Sequence, residues 1–169
     1  MSCDKYVILG LDPGLVKTGW GVISSAPSGV KYIDCGIIKT KPSSQMEVRL
    51  TFIYDSVQDL ISSFNPKFVA MEEIFVNTNS KTSEKLIMAR TASFISASKA
   101  GFVINGYPPN KIKKNITGFG HASKEQIHRM IQGIFGENIK QDKEHTFDSM
   151  DALAVALCHA FSNGKHIRC

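Results

Sequence analysis

The chain has 169 residues, of which 43% are hydrophobic and 21% charged, a balance that predicts one compact domain over residues 1–169. It has no apolar run long enough to span a bilayer, and its four cysteines are too scattered for a zinc site or a disulfide framework. Asp4 and Lys5 precede the first strand in place of a basic leader, so we expect a cytoplasmic protein, with frayed ends at 1–5 and 164–169.

The formal charge of +5 is unevenly distributed. Residues 108–140 carry six basic and two acidic side chains, and residues 76–100 carry four basic and one acidic. The rest of the chain is therefore mildly acidic. This pattern is typical of a polyanion bound across one face with acids at its centre, and a merely solvated basic surface is the alternative.

The apolar run 6–11 predicts a strand buried on both faces, and it leads through Asp12 into a Pro-Gly turn. A buried ionised carboxylate needs compensation. Asp12 is therefore either a turn aspartate bonded to the amides of the bend or a ligand for a divalent metal. Residues 18–24 and 30–40 predict a second and a third strand, which complete an antiparallel meander.

A helix is predicted next, because Ser44 and Glu47 have the spacing of a capping box and Asn65 precedes a proline. Apolar residues repeat at helical spacing between these signals. They are Leu50, Ile53, Val57, Leu60 or Ile61, and Phe64.

The second half of the chain alternates strands and helices. Residues 67–71 predict a strand that ends in Glu72 and Glu73, residues 79–100 a long helix rich in small residues, and residues 102–107 a fifth strand. The small residues permit close approach of another element, either the protein's own sheet or a partner subunit.

A basic loop with two glycines is predicted over residues 111–121, and Ser123 and Gln126 then form a second capping box. The buried face of the helix that follows is predicted as Ile127, Met130, Ile131, Ile134 and Phe135. The last helix is predicted to bury Met150, Leu153, Ala154, Leu157 and Phe161.

This order predicts an α/β fold with a five-stranded mixed sheet: three antiparallel strands, then two parallel ones, with helices on both faces.

Asp148 and Asp151 stand three residues apart near the start of the last helix and so share one face. Taken alone, they suit the helix dipole. Asp12 and one of Glu72 or Glu73 also lie at the ends of elements that can meet at one edge of the sheet. Four carboxylates without a cation would raise one another's pKa, and two Mg²⁺ or Mn²⁺ ions would relieve this. With basic flanks, nucleic acid is the expected substrate.

The motifs resemble those of the RuvC family of bacterial crossover-junction (Holliday junction) endonucleases along nearly the whole chain. The matching pieces are Leu11-Asp12-Pro13-Gly14 with Gly19, then Ala70-Met71-Glu72-Glu73-Ile74-Phe75, then Tyr107, Pro109, Ile112 and Lys113, then Gly118, Gly120, Ala122, Lys124 and Gln126, and finally Asp148, Asp151, Ala152, Leu153, Ala154, Ala156, Cys158 and His159.

The resemblance implies a ribonuclease-H-like fold, a homodimer, and Mg²⁺-dependent cleavage of four-way DNA junctions in recombination and repair. Paired, symmetry-related nicks in strands of like polarity would leave ligatable 5′-phosphate ends. The branch-migration proteins RuvA and RuvB are the partners that the resemblance implies.

The resemblance also assigns site residues. The four metal-holding acids would be Asp12, Glu72, Asp148 and Asp151. Lys113 and Lys124 would contact phosphates near the scissile bond, and Phe75 would stack on a base at the crossover.

For each of three basic side chains, the sequence leaves two roles possible. Arg90 contacts either a junction arm or the dimer surface, and His121 and His128 either bind phosphate or are simply exposed.

Two rival functions remain. One is a nuclease of the same fold acting on ribosomal RNA precursors, and the other is a non-catalytic junction-binding module. An actin-like ATPase is disfavoured because it needs a second lobe that 169 residues do not provide.

Overall fold

The computed structural model describes residues 5–74, 81–136, 139 and 147–163. The two predicted frayed ends lie outside this part of the chain, apart from residue 5. Five strands form one sheet in the order β3-β2-β1-β4-β5. The strands are β1 (Tyr6–Asp12), β2 (Lys17–Ala26), β3 (Gly29–Lys39), β4 (Phe68–Glu72) and β5 (Ile104–Tyr107).

Pairing within the sheet is mixed. β1 pairs antiparallel with β2, and β2 pairs antiparallel with β3, whereas β4 is parallel to both β1 and β5. The predicted α/β architecture of three antiparallel and two parallel strands is confirmed.

Helices cover both faces of the sheet, as predicted. They are α1 (Met46–Phe64), α2 (Lys81–Lys99), α3 (Pro109–Thr117), α4 (Lys124–Phe135) and α5 (Phe147–Asn163). The core on one face joins α1 and α2 to side chains such as Leu9 and Val22. The core on the other face joins α3, α4 and α5 to side chains such as Ile8 and Ile23. The alternation of neighbouring strand residues between two cores is why β1 carries no charged side chain before Asp12.

Helix α5 lies unusually close to the sheet because glycines face it. A Cβ atom on Gly10 would stand 2.7 Å from the amide nitrogen of Ala156, and one on Gly21 would stand 2.8 Å from that of Leu153. A Cβ on Gly19 would collide with the carbonyl oxygen of Asp148. The helix can therefore approach β1 and β2 only where the strands carry no side chain.

The small residues of α2 pack against other elements of the same chain. Ser96 is buried, and its Oγ donates to the carbonyl oxygen of Tyr54 on α1 at 2.8 Å. Gln58 of α1 donates from Nε2 to Ser96 Oγ at 3.0 Å. Close packing against α1, as well as against the sheet, explains the composition of this helix.

Several local predictions were wrong. The expected loop 111–121 contains α3, because Pro109 occupies the first helical turn and Ile112 and Ile116 form a buried i, i+4 pair. The Ser44–Glu47 capping box is absent because the helix begins one residue later, with Gln45 as its N-cap.

Other helix predictions have mixed outcomes. The capping box of Ser123 and Gln126 is present. Met130 and Phe161, both expected inside, are 44% and 38% exposed, because each lies on the solvent side of its helix. In the described residues, no helix is long and apolar enough to cross a membrane.

We predict that Gly10→Ala and Gly133→Ala change stability in opposite directions. The Cβ on residue 10 would clash with α5 backbone, and overpacking of this kind costs about 1–3 kcal/mol. Gly133 lies in α4 with open space around it, where alanine should stabilise the helix by about 0.5–1 kcal/mol. Urea denaturation measures both, and equal effects would contradict the packing explanation.

Candidate active site

Two neighbouring parallel strands end in carboxylates. Asp12 closes β1 and Glu72 closes β4, and the pairing of Leu11 with Met71 puts these acids side by side. The bend after Asp12 is held by Thr18, whose Oγ1 donates to the carbonyl oxygen of Gly14 at 2.8 Å. Because Thr18 closes the turn, the geometry favours the metal-ligand interpretation of Asp12.

Helix α5 supplies two more acids from its first turns. Asp12, Asp148 and Asp151 each present a carboxylate oxygen, and these three oxygens lie within 4.8 Å of one another. Each residue is half-buried. The predicted convergence of strand-end and helix-start acids is therefore found, and this oxygen-only donor set suits a hard divalent cation.

A cavity of about 180 Å³ opens beside these acids. Its charged lining consists of Asp12, Glu72, Asp151, Lys113 and Lys124, and its other walls are Pro109, Ile112, Ile127 and Ala154. The side chain of Glu73 instead lies against Gly106 of β5. Of the two adjacent glutamates, Glu72 is thus the one that faces the acidic site.

Burial keeps a proton on the strand-end acids. The pKa of Asp12 is raised to about 8 by burial, and then by the nearby charges of Glu72 and Asp151. Burial and Asp151 also raise the pKa of Glu72, although a hydrogen bond with Asp12 acts in the opposite direction. Without a cation, Asp12 therefore keeps its proton at neutral pH beside Glu72.

Asp151 behaves differently, contrary to the expectation that all four acids would raise one another's pKa. Burial would raise its pKa, but hydrogen bonds from His128 and Lys124 outweigh burial and lower it. The distances are 3.1 Å from His128 Nε2 to Oδ1 and 2.9 Å from Lys124 Nζ to Oδ2. His128 is buried and stacks on Phe147, so the exposed role considered for it is wrong.

The other sequence-predicted residues are distributed around this centre. Arg90 donates from Nε to the carbonyl oxygen of Glu72 at 3.3 Å, and its guanidinium lies 6.0 Å from the ring centroid of Phe94. Its contact with DNA stays a prediction. His121 lies edge-on to the exposed ring of Phe119. Phe75 falls outside the described residues.

The sequence did not predict the contacts that two basic residues make with the acids. Lys17 Nζ lies 3.9 Å from Asp148 Oδ2, and His128 bonds Asp151. The position of His128 four residues after Lys124, on the same face of α4, is a signal that could have found it. No comparable signal exists for Lys17, because its position depends on the packing of β2 against α5.

The mixed sheet has carboxylates at the ends of adjacent central strands, and two aspartates from one helix join them. This arrangement defines a ribonuclease-H-like nuclease with an acidic centre that could hold metal ions. The family model for RuvC, crossover junction endodeoxyribonuclease, matches residues 8–159. The chain belongs to the RuvC family.

Individual relatives agree with this assignment. The RuvC of Orientia tsutsugamushi (strain Boryong) is 45% identical over 150 residues, which cover 89% of this chain and 92% of the relative. The RuvC of Rhizobium etli is 34% identical over 160 residues, with 94% and 92% coverage.

Solved structures give the same result. The Thermus thermophilus RuvC structure is 30% identical with a TM-score of 0.82, over 95% of this chain and 96% of that one. The same protein in complex with a Holliday junction substrate gives a TM-score of 0.84 at the same identity and coverage. The yeast mitochondrial Holliday junction resolvase, at 14% identity and a TM-score of 0.65, shares the fold.

We predict that Asp12→Asn stabilises the metal-free protein, and increasingly so from pH 4 to pH 8. In this window, folded Asp12 keeps a proton that the unfolded chain loses near pH 3.8, so the free energy of unfolding falls as pH rises. At pH 8 the variant should gain more than about 1 kcal/mol, since one pKa unit corresponds to about 1.36 kcal/mol.

Urea denaturation in EDTA at pH 5, 6.5 and 8 measures this effect. Asp59→Asn, at an exposed position on α1, is the matched control and should show no such trend. A constant difference between Asp12→Asn and the unmodified protein would show that Asp12 is ionised throughout.

Proposed function

We propose that this protein resolves four-way DNA junctions by making paired, symmetry-related nicks in two strands of like polarity. The observation that carries the proposal is the convergence of Asp12, Asp148 and Asp151 in a chain of the RuvC family. The Thermus thermophilus relative solved with a Holliday junction supports the choice of substrate. Membership of the RuvC family supports the further proposals that the protein works in the cytoplasm and together with RuvA and RuvB.

We further propose that Asp12, Glu72, Asp148 and Asp151 hold two Mg²⁺ ions, for which Mn²⁺ can substitute. The carboxylate oxygens are the ligands that these hard ions prefer, and a divalent charge offsets the cost of burying several acids together. Bound metal supplies the activation of water and the stabilisation of the leaving oxygen of a phosphodiester. The strand ends and the start of α5 fix the positions of the acids.

Lys113 and Lys124 are proposed to bind phosphates beside the scissile bond. Both line the acidic cavity, and compact ammonium charges suit phosphate oxygens. The bond of Lys124 to Asp151 orients its ammonium group towards the acids. Phe75 is proposed to stack on an unpaired base, and Arg90 to contact a junction arm near the end of β4.

The active unit is proposed to be a homodimer, because two symmetry-related cuts need two active centres. An apolar groove of about 400 Å³ runs between α1 and α2 and supports this face as the interface. Ile87 and Ile95 line this groove and are 42% and 52% exposed, and Phe52 and Phe94 on the same two helices are 50% and 41% exposed. A second copy would cover this surface.

We predict that Asp12→Asn, Glu72→Gln, Asp148→Asn and Asp151→Asn each lower junction cleavage by at least about 100-fold, because each removes a metal-holding charge. Binding to the junction should survive, since the basic side chains are unchanged. The measurement is strand-by-strand nick mapping on a mobile four-way junction, with and without Mg²⁺, beside a binding assay in Ca²⁺. Asp59→Asn is the control.

The outcomes separate the rival functions. Cleavage of structured RNA with no cleavage of four-way DNA would support the RNA-processing enzyme. Junction binding without cleavage at any Mg²⁺ concentration would support the non-catalytic module. Full cleavage by one of the four variants would remove that residue from the centre.

We predict that Ile95→Glu converts the dimer to a monomer, because it places a charge in the apolar α1–α2 face. Met130→Glu is the matched control, since Met130 is similarly exposed but lies on α4. Light scattering during gel filtration measures the mass of each. A dimer that persists in Ile95→Glu would place the interface elsewhere.

A further inference from the structure

A pair of lysines stands on the side of the acids opposite the cavity. Lys17 opens β2 and Lys39 closes β3, and the two residues are direct partners across the antiparallel pair. Both are exposed. Like charges directly opposite one another repel, and an anion bound beside both lysines would reduce this repulsion.

The lysines lie on the same face of the sheet as α5. Side chains alternate along β2, so Lys17 shares the face of Gly19, where a Cβ would meet the Asp148 carbonyl oxygen. Lys39 lies on that face too, since it pairs directly with Lys17. Both lysines are thus at the end of the sheet where Asp12 leaves β1.

The acid next to these lysines is Asp148. Lys17 Nζ lies 3.9 Å from Asp148 Oδ2, a loose pair in which the lysine is 46% exposed. Asp148 does not line the 180 Å³ cavity that contains Lys113 and Lys124. The acidic cluster therefore has cations on two sides, with Asp148 and Lys17 on one and Asp151 and Lys124 on the other.

We propose that Lys17 and Lys39 form a second phosphate-binding surface, which holds the DNA backbone on the β2–β3 side of the acids while Lys113 and Lys124 hold it on the other. This inference rests on the proposed function. A DNA strand that crosses the acidic centre has phosphates on both sides of the scissile one. Lysines that bind the phosphates on both sides would hold the scissile phosphate over the acids. The loose pair with Asp148 leaves the Lys17 ammonium group able to reach a phosphate.

The experiment measures junction affinity in Ca²⁺ as a function of salt for Lys17→Ala, Lys39→Ala and the double variant. Each lost phosphate contact should lower the slope of log affinity against log salt by about 0.9. Lys17→Arg should restore the slope because it keeps the charge. Lys31→Ala is the matched control, since Lys31 is also exposed on β3 but lies at its opposite end.

Single-turnover cleavage at saturating junction and varied Mg²⁺ completes the test. A lower salt slope in the double variant, with the Lys31→Ala slope unchanged, supports the proposal. A double variant with an unaltered slope overturns it, and a shift in the Mg²⁺ requirement alone would make Lys17 only a counter-charge for Asp148. If the unmodified protein neither binds nor cuts the junction, the proposed function fails instead, so the two failures are distinguishable.

Discussion

The close approach of helix α5 to strands β1 and β2 is the constraint on which the candidate site depends. Gly10, Gly19 and Gly21 leave no side chain between the strands and the helix. The first turns of α5 are thereby held beside the end of β1, where Asp148 and Asp151 meet Asp12. A side chain on one of these glycines would push α5 away from the strands, because most of the atoms it would meet are helix backbone, which cannot move aside as a flexible side chain can.

The acids differ in electrostatic environment although they share one location. Asp12 at the end of β1 is partly buried and retains a proton, as its raised pKa indicates. Asp151 receives two hydrogen bonds from α4, so its pKa is lowered. Without a metal ion, the negative charge of the site is consequently partly neutralised. A divalent cation would replace a proton at Asp12 and compete with Lys124 at Asp151, which links metal binding to both protonation and lysine position.

The lysines around the acids make this surface suitable for binding DNA. A negative centre alone would repel DNA, whereas lysines on both sides of it attract the backbone and leave the carboxylates at the scissile phosphate. Separate from this region, the apolar α1–α2 face offers a surface for a second copy of the chain. The proposed lysine contacts with DNA thus lie on the α5 side of the sheet, whereas the proposed subunit contact lies on the α1–α2 side, where α2 also carries Arg90.

The sequence by itself predicted the five strands in their succession along the chain, the mixed sheet, and carboxylates at strand ends, because apolar periodicity and strand-end carboxylates are local signals. The sequence did not predict α3. A Pro-Pro pair and two glycines favoured a loop there, and the helix has only one turn of buried isoleucines to indicate it. Only the tertiary structure shows that Glu72 lines the acidic cavity while Glu73 lies against Gly106. It alone packs His128 against Asp151 and places Lys17 beside Asp148. Those contacts depend on the register of β2 and on how α4 and α5 pack, and residues far apart in the chain carry no local signal of either.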